Sequence, residues 1–144
     1  TYANAGHNVP LLIPADEQDE RLNVKKIGMT RRRYISLTSQ GTPLGMVEGS
    51  TFTQKMIQVM PGDKLFLYTD GLIECKNPEG IMWGKRKMIR SLESYISLSH
   101  EQIRDKMLKE AFDFYNGQSL EDDVTVVVAD FDENWKSDSK GKNS

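Results

Sequence analysis

One cysteine, Cys75, and two histidines are all that 144 residues offer of thiol and imidazole. A lone thiol cannot close an internal disulfide, which fits a reducing compartment. Long apolar runs are missing as well. Nothing approaches the roughly 20 residues of a membrane span and no signal-peptide pattern stands at the start, so the chain reads as cytoplasmic, with no membrane partner. A basic excess is absent: 19 Lys and Arg face 21 Asp and Glu, a formal net charge of −2, so no global field draws the chain to nucleic acid or anionic lipid. A phosphate loop of the form G-x-x-x-x-G-K-[ST] is also lacking, which leaves a nucleotide-binding domain with little support. No internal repeat is visible. What is present is the composition of one globular domain, 38% hydrophobic and 28% charged. Partners have to be argued from sites.

The stretch from Pro61 to Glu74 reads as turn, buried strand and acidic exit in succession. Pro61-Gly62-Asp63 makes the turn. Leu65 to Tyr68 is a continuous apolar run, too short for a lone helix and without the alternation of a half-wet strand, so a strand covered on both faces fits. It stops at Asp70-Gly71. Asp-Gly is a common turn dipeptide, but an acid at the end of a buried strand can also hold a carboxylate over a cleft, beside a residue with no side chain to block a ligand. Far downstream, Glu121-Asp122-Asp123 opens a second β-branched run, Val124 to Ala129. Antiparallel pairing of the two strands would bring Asp70 to Asp122 and Asp123 at one sheet edge. Carboxylates that converge repel unless a cation lies between them. Oxygen ligands without a His/Cys cluster favour a hard cation, Mg²⁺ or Mn²⁺, over zinc.

The rest of the chain supplies a scaffold. Thr1 to Ile13 reads as a hairpin with arms 2–5 and 9–13 about Gly6-His7-Asn8, and His7 by itself reads as a turn histidine bonded to nearby backbone. Pro14 to Asn23 is a charged surface connector whose acids are solvated. Met29 to Ser39 is a strand with a basic entrance, Arg31-Arg32-Arg33, taken as a wet edge. Gly41 to Gly45 is a loop, and Thr51 to Met60 a strand with Phe52, Met56 and Val59 inward and a slip of phase near Ile57. Cys75 to Gly80 is a loop. Met88, Ile89, Leu92 and Ile96 recur at helical spacing over 85–98. Ser99 with Gln102 makes a capping box for a second helix, stopped by Gly117, whose stripe is Ile103, Met107, Leu108, Ala111, Phe112 and Tyr115. Residues 132–144 are too polar to bury a core and read as a disordered tail after a domain spanning 1–131.

The segments Tyr2-Ala3-Asn4-Ala5-Gly6-His7-Asn8, Gly41-Thr42-Pro43-Leu44-Gly45-Met46, Pro61 to Glu74 with Tyr68-Thr69-Asp70-Gly71, and Asp122-Asp123-Val124-Thr125 occur in this order across most of the chain. Together they resemble the C-terminal part of a SpoIIE/RsbU-type domain, in the PPM class of metal-dependent protein serine/threonine phosphatases. The resemblance implies that Asp70 and Asp122 are ligands of a two-metal centre, with Asp123 as neighbour and stand-in and Gly71 giving access. It implies that a metal-bound water attacks phosphoserine or phosphothreonine on a signalling protein such as an anti-sigma-factor antagonist. It places the tip of the first hairpin at the cleft, where His7 would position a water or the phosphate. In such domains the acid bridging both metals lies in an Asp-x-x-Gly-His-Gly segment upstream of the Ala-Gly-His-Asn hairpin. Nothing precedes Thr1, so the expectation is a domain whose N-terminal portion is absent.

The expected fold is therefore α+β, a mainly antiparallel β-sandwich with covering helices near 85–97 and 100–116. A rival from another class is a non-catalytic interaction module derived from the same family. Unpaired edges and uncovered faces carry a further expectation, self-association of the chain.

Overall fold

Four short strands form one antiparallel sheet: β1 (Leu11–Ile13), β2 (Ile35–Ser36), β3 (Lys64–Tyr68) and β4 (Val126–Asp130), in the spatial order β2-β1-β3-β4. Three helices, α1 (Asp70–Glu74), α2 (Gly84–Tyr95) and α3 (His100–Tyr115), lie between β3 and β4 in the chain. The computed structural model describes residues 1–22, 32–118 and 121–132. The expected α+β class, antiparallel sheet and covering helices are all found, while a second sheet of a sandwich is not among the described residues. Asn23, Met29 to Arg31, Ser119-Leu120 and the tail beyond Asp132, with Trp135, lie outside them.

The helices follow their sequence signals closely. Ser99 Oγ accepts the Gln102 N–H and the Gln102 side chain accepts the Ser99 N–H, the reciprocal cap expected of α3. Buried Ile103, Met107, Ala111 and Tyr115 recur every fourth residue and pack against the sheet with Met88 and Leu92 of α2. Phe112 falls off that stripe and is 45% exposed, contrary to its expected place on the packed face. The helix ends at Asn116, held left-handed at φ 52°, one residue before the expected stop at Gly117.

The strands depart further from expectation. Tyr2 bridges Lys55 rather than a second arm of its own hairpin, while β1 pairs with β2 and β3, so residues 1–13 form no hairpin. Residues 51–60 contribute that single bridge and no strand; Phe52 and Val59 are half-buried as expected, but Met56 is 84% exposed and Ile57 turns inward in its place. Within β3, Phe66 and Tyr68 are buried beneath the helices, whereas Leu65 and Leu67 on the opposite face are only half-buried. The strand is thus covered fully on one face. On the other, Leu12, Leu37, Ile57, Leu65 and Phe131 line an apolar hollow of about 430 Å³.

Two charged segments are more than wet surface. Asp63, at the Pro61-Gly62-Asp63 turn, is completely buried and accepts from Arg21 Nη1 at 2.7 Å, Arg21 Nη2 at 3.0 Å, Ala15 N at 3.1 Å and Met60 N at 2.9 Å. Arg21 also grips Asp19, and its guanidinium holds that carboxyl below the ordinary value of 3.8. The connector acids are therefore structural at Asp19, and Glu17 likewise pairs with Arg33. Arg33 is half-buried and donates to the Glu93 carbonyl of α2 at 3.1 Å, so the basic run is anchored there rather than left in solvent.

Candidate functional site

The end of β3 lies beside the start of β4, with Tyr68 opposite Val126. Thr69 fixes the junction. Its N–H donates to the Thr125 carbonyl at 3.1 Å, its hydroxyl donates to the Asp123 carbonyl at 2.9 Å, and the same oxygen accepts the Thr125 N–H at 2.9 Å. A threonine preceding a helix commonly caps it with its side chain. Here that oxygen is committed across the sheet, and α1 begins at Asp70 without a side-chain cap. Asp70-Gly71 therefore opens a short helix instead of a turn.

Gly71 is buried against the other acidic segment. A Cβ built on it would stand 2.5 Å from the Asp123 carbonyl oxygen and 3.2 Å from that of Asp122, so only glycine permits this approach. Asp70 and the Asp122-Asp123 pair thereby meet at one corner, all three carboxylates exposed. Asp122 Oδ1 accepts the Asp123 N–H at 2.7 Å, which turns the pair into a fixed bend. Gly71→Ala should push the start of α1 away from Asp123. The expected result is a lowered thermal midpoint and new chemical shifts at Thr69, Asp123 and Thr125 in amide spectra, with the core of α2 and α3 unmoved.

His7 is not part of this corner by any polar contact among the described residues. Its N–H donates to Asn4 Oδ1 at 2.8 Å, and its Nδ1 lies 2.7 Å from the Asn8 carbonyl. The Gly6-His7-Asn8 tip packs instead on the 41–46 loop, since a Cβ on Gly6 would meet Pro43 and one on Gly41 would meet the Asn4 carbonyl.

A family model described as "Stage II sporulation protein E (SpoIIE)" matches residues 1–132. The chain belongs to the SpoIIE family. Relatives of this SpoIIE-family chain include Protein IcfG of a Synechocystis species, 27% identical over 89% of this chain and 18% of that protein. The Stage II sporulation protein E of Priestia megaterium is 32% identical over 85% of this chain and 22% of its own length, and that of Bacillus subtilis 28% identical over 85% and 16%. The chain thus spans about a fifth of the relatives it matches. Among solved structures, the SiaA-PP2C domain of Pseudomonas aeruginosa superposes with a TM-score of 0.60 at 15% identity, over 86% of this chain and 43% of that one. The PP2C phosphatase domain of SpoIIE from Bacillus subtilis gives 0.57 at 22% identity, over 90% of this chain and 33% of that one. The fold is that of PP2C phosphatase domains.

The SpoIIE-family corner can be tested for its fitness to hold metal. Its donors are carboxylate and carbonyl oxygens, the chemistry of Mg²⁺ and Mn²⁺ sites. Gly71 brings its backbone against the Asp122-Asp123 peptide, so the two acidic segments lie side by side. Among the described residues, however, no group of three or more His, Cys, Asp or Glu is arranged to hold a metal ion, so these residues fit as one part of an oxygen cage. No helix among the described residues is long and apolar enough to cross a membrane.

Beside the corner lies a cleft of about 240 Å³ that no reading of the motifs pointed to. Gly71 and Asp122 form its shared wall with the candidate centre, and Glu74, Lys76, Tyr115 and Glu121 line the remainder. Lys76 Nζ pairs with Glu121 at 2.7 Å. Cys75 is buried on the same wall, its thiol pushed up by burial and donating to the Leu72 carbonyl at 3.2 Å, which marks it as structural rather than reactive.

Proposed function

We propose that this chain is the C-terminal part of a metal-dependent protein serine/threonine phosphatase domain, residues 1–131, followed by a polar tail. The observation that carries the reading is the approach of Gly71 to the Asp122-Asp123 peptide, which gathers Asp70, Asp122 and Asp123 at one exposed corner. Asp70 and Asp122 are the proposed metal ligands, Asp123 the neighbouring carboxylate, and Gly71 the residue whose missing side chain lets the two acidic segments approach. Bound Mg²⁺ or Mn²⁺ supplies a water of lowered pKa and positive charge for the phosphate oxygens. Thr69 holds both acidic segments in register, so the backbone that carries the carboxylates is paired before a ligand arrives. His7 is proposed to orient a water or the phosphate from the tip of its loop. The substrate is a phosphorylated serine or threonine on a signalling protein, by family resemblance an anti-sigma-factor antagonist.

Release of phosphate from a phosphoserine protein by the full-length protein should require added Mn²⁺ or Mg²⁺, fall to background with EDTA, and return when the metal is restored. A second reading, a non-catalytic interaction module, draws on the want of a complete metal cluster among the described residues. Binding of phosphoprotein without metal-dependent release would favour it.

A further inference from the structure

We infer that the cleft beside the candidate centre is a specificity subsite for one basic side chain, lysine or arginine, close in sequence to the phosphoresidue of the substrate. The inference rests on the phosphatase reading above and adds to it what the substrate must carry.

Size limits the occupant first. About 240 Å³ is below the ~300–1,000 Å³ that holds a drug-sized ligand or cofactor, and suits a single long side chain. Location comes next, because Gly71 and Asp122 belong to both the cleft and the corner, so a group held here sits next to a phosphate held there. Charge then selects the sign. Glu74 and Glu121, the acids of the cleft not assigned to metal, face the single ammonium of Lys76, which Glu121 already engages at 2.7 Å, leaving an acidic surplus. A cation entering from the substrate meets that surplus, whereas an acidic neighbour of the phosphoresidue is repelled.

A separate observation points to a ligand. Tyr115 is 7% exposed and lines the cleft, and its hydroxyl is buried without a hydrogen-bond partner among the described residues. A buried, unbonded hydroxyl is costly to leave unmade, and its oxygen can accept from an ammonium or guanidinium. The wall is also built rather than loose: Trp83 N donates to the Cys75 carbonyl at 2.9 Å, Asn77 N to the Ile81 carbonyl at 3.0 Å, and Ile81 N to Asn77 Oδ1 at 2.8 Å. Those bonds hold Lys76 and Asn77 in place across from Tyr115.

The test uses the full-length protein with Mn²⁺, p-nitrophenyl phosphate, and phosphoserine peptides that carry one lysine at successive positions on either side, each against its alanine counterpart. At one position lysine should raise kcat/KM about fivefold, the effect of a well-placed ion pair. Glu121→Gln and Tyr115→Phe should each pull that ratio toward one, and Asp113→Asn, at an exposed position of α3 that does not line the cleft, should leave it alone. Hydrolysis of all peptides with no preference at any position overturns the subsite and leaves the phosphatase reading standing. A preference that neither Glu121→Gln nor Tyr115→Phe reduces overturns the assignment to this cleft. Failure to release phosphate from every peptide and from p-nitrophenyl phosphate overturns both.

Discussion

Asp63→Ala should destabilise the fold by about 3–5 kcal/mol, the range found when one partner of a buried charged pair is removed. The carboxylate is fully buried, and its loss would strip Arg21 of two hydrogen bonds and leave the Ala15 and Met60 amides without acceptors. Each buried donor left unmade costs about 1–3 kcal/mol. Against a total stability of roughly 5–15 kcal/mol, that is a large share. Urea denaturation should show it as a lower midpoint with an unchanged slope. Lys109 and Asp113 are the internal comparison, an ion pair four residues apart on α3 with side chains 73% and 64% exposed. Asp113→Ala should cost at most about 0.5 kcal/mol. A shift at Asp63 no greater than at Asp113 would show that the buried cluster is not holding the 14–22 segment to the β3 turn.

Asp70→Asn in the full-length protein should lower phosphoprotein hydrolysis by at least about a hundredfold while leaving the thermal midpoint in place. The magnitude follows from what surrounds metal ligands elsewhere, where even outer-shell partners are worth roughly 10–100-fold. Stability should hold because Asp70 is exposed and its side chain makes no hydrogen bond or ion pair to another described residue, so amide replaces carboxylate without orphaning a partner. Asp122→Asn should act in the same direction. It keeps an oxygen that can accept the Asp123 N–H, so the bend survives while the charge is lost. Turnover unchanged in Asp70→Asn would reduce that residue to the opening position of α1, and a coincident loss of stability would mean the fold had failed rather than the chemistry.

The conditions for the two acidic segments to meet were legible because they amount to local pattern plus one pairing. An apolar run ending in Asp70-Gly71 and a β-branched run entered through Asp122-Asp123 can bring their acids together only if they pair antiparallel, and they do. The helical stripe of α3 was legible for the same reason, since burial at every fourth residue is written into the spacing. Other expectations failed where local pattern competes with packing. Met56 has the hydrophobicity of a core residue but not the register, and the first thirteen residues lack a hairpin because β1 finds better partners in β2 and β3.

The sequence by itself determined the class of the fold, the two helices with the cap of α3, the two apolar runs bounded by acids and the oxygen character of those acids. Each is a property of residues near one another in the chain or of composition. Tertiary structure alone decided that Asp63 is the most buried acid of the described chain while the similar turn acids stay in water, because its partner Arg21 is 42 positions away. It decided that His7 leans on Asn4 and Asn8 instead of the aspartates. It also set the Tyr115 hydroxyl beside Glu121 without a hydrogen-bond partner among the described residues, where the end of α3 closes on the loop that follows α1. Contacts of that kind carry no signature in spacing, since they depend on where distant segments come to rest once the core has packed.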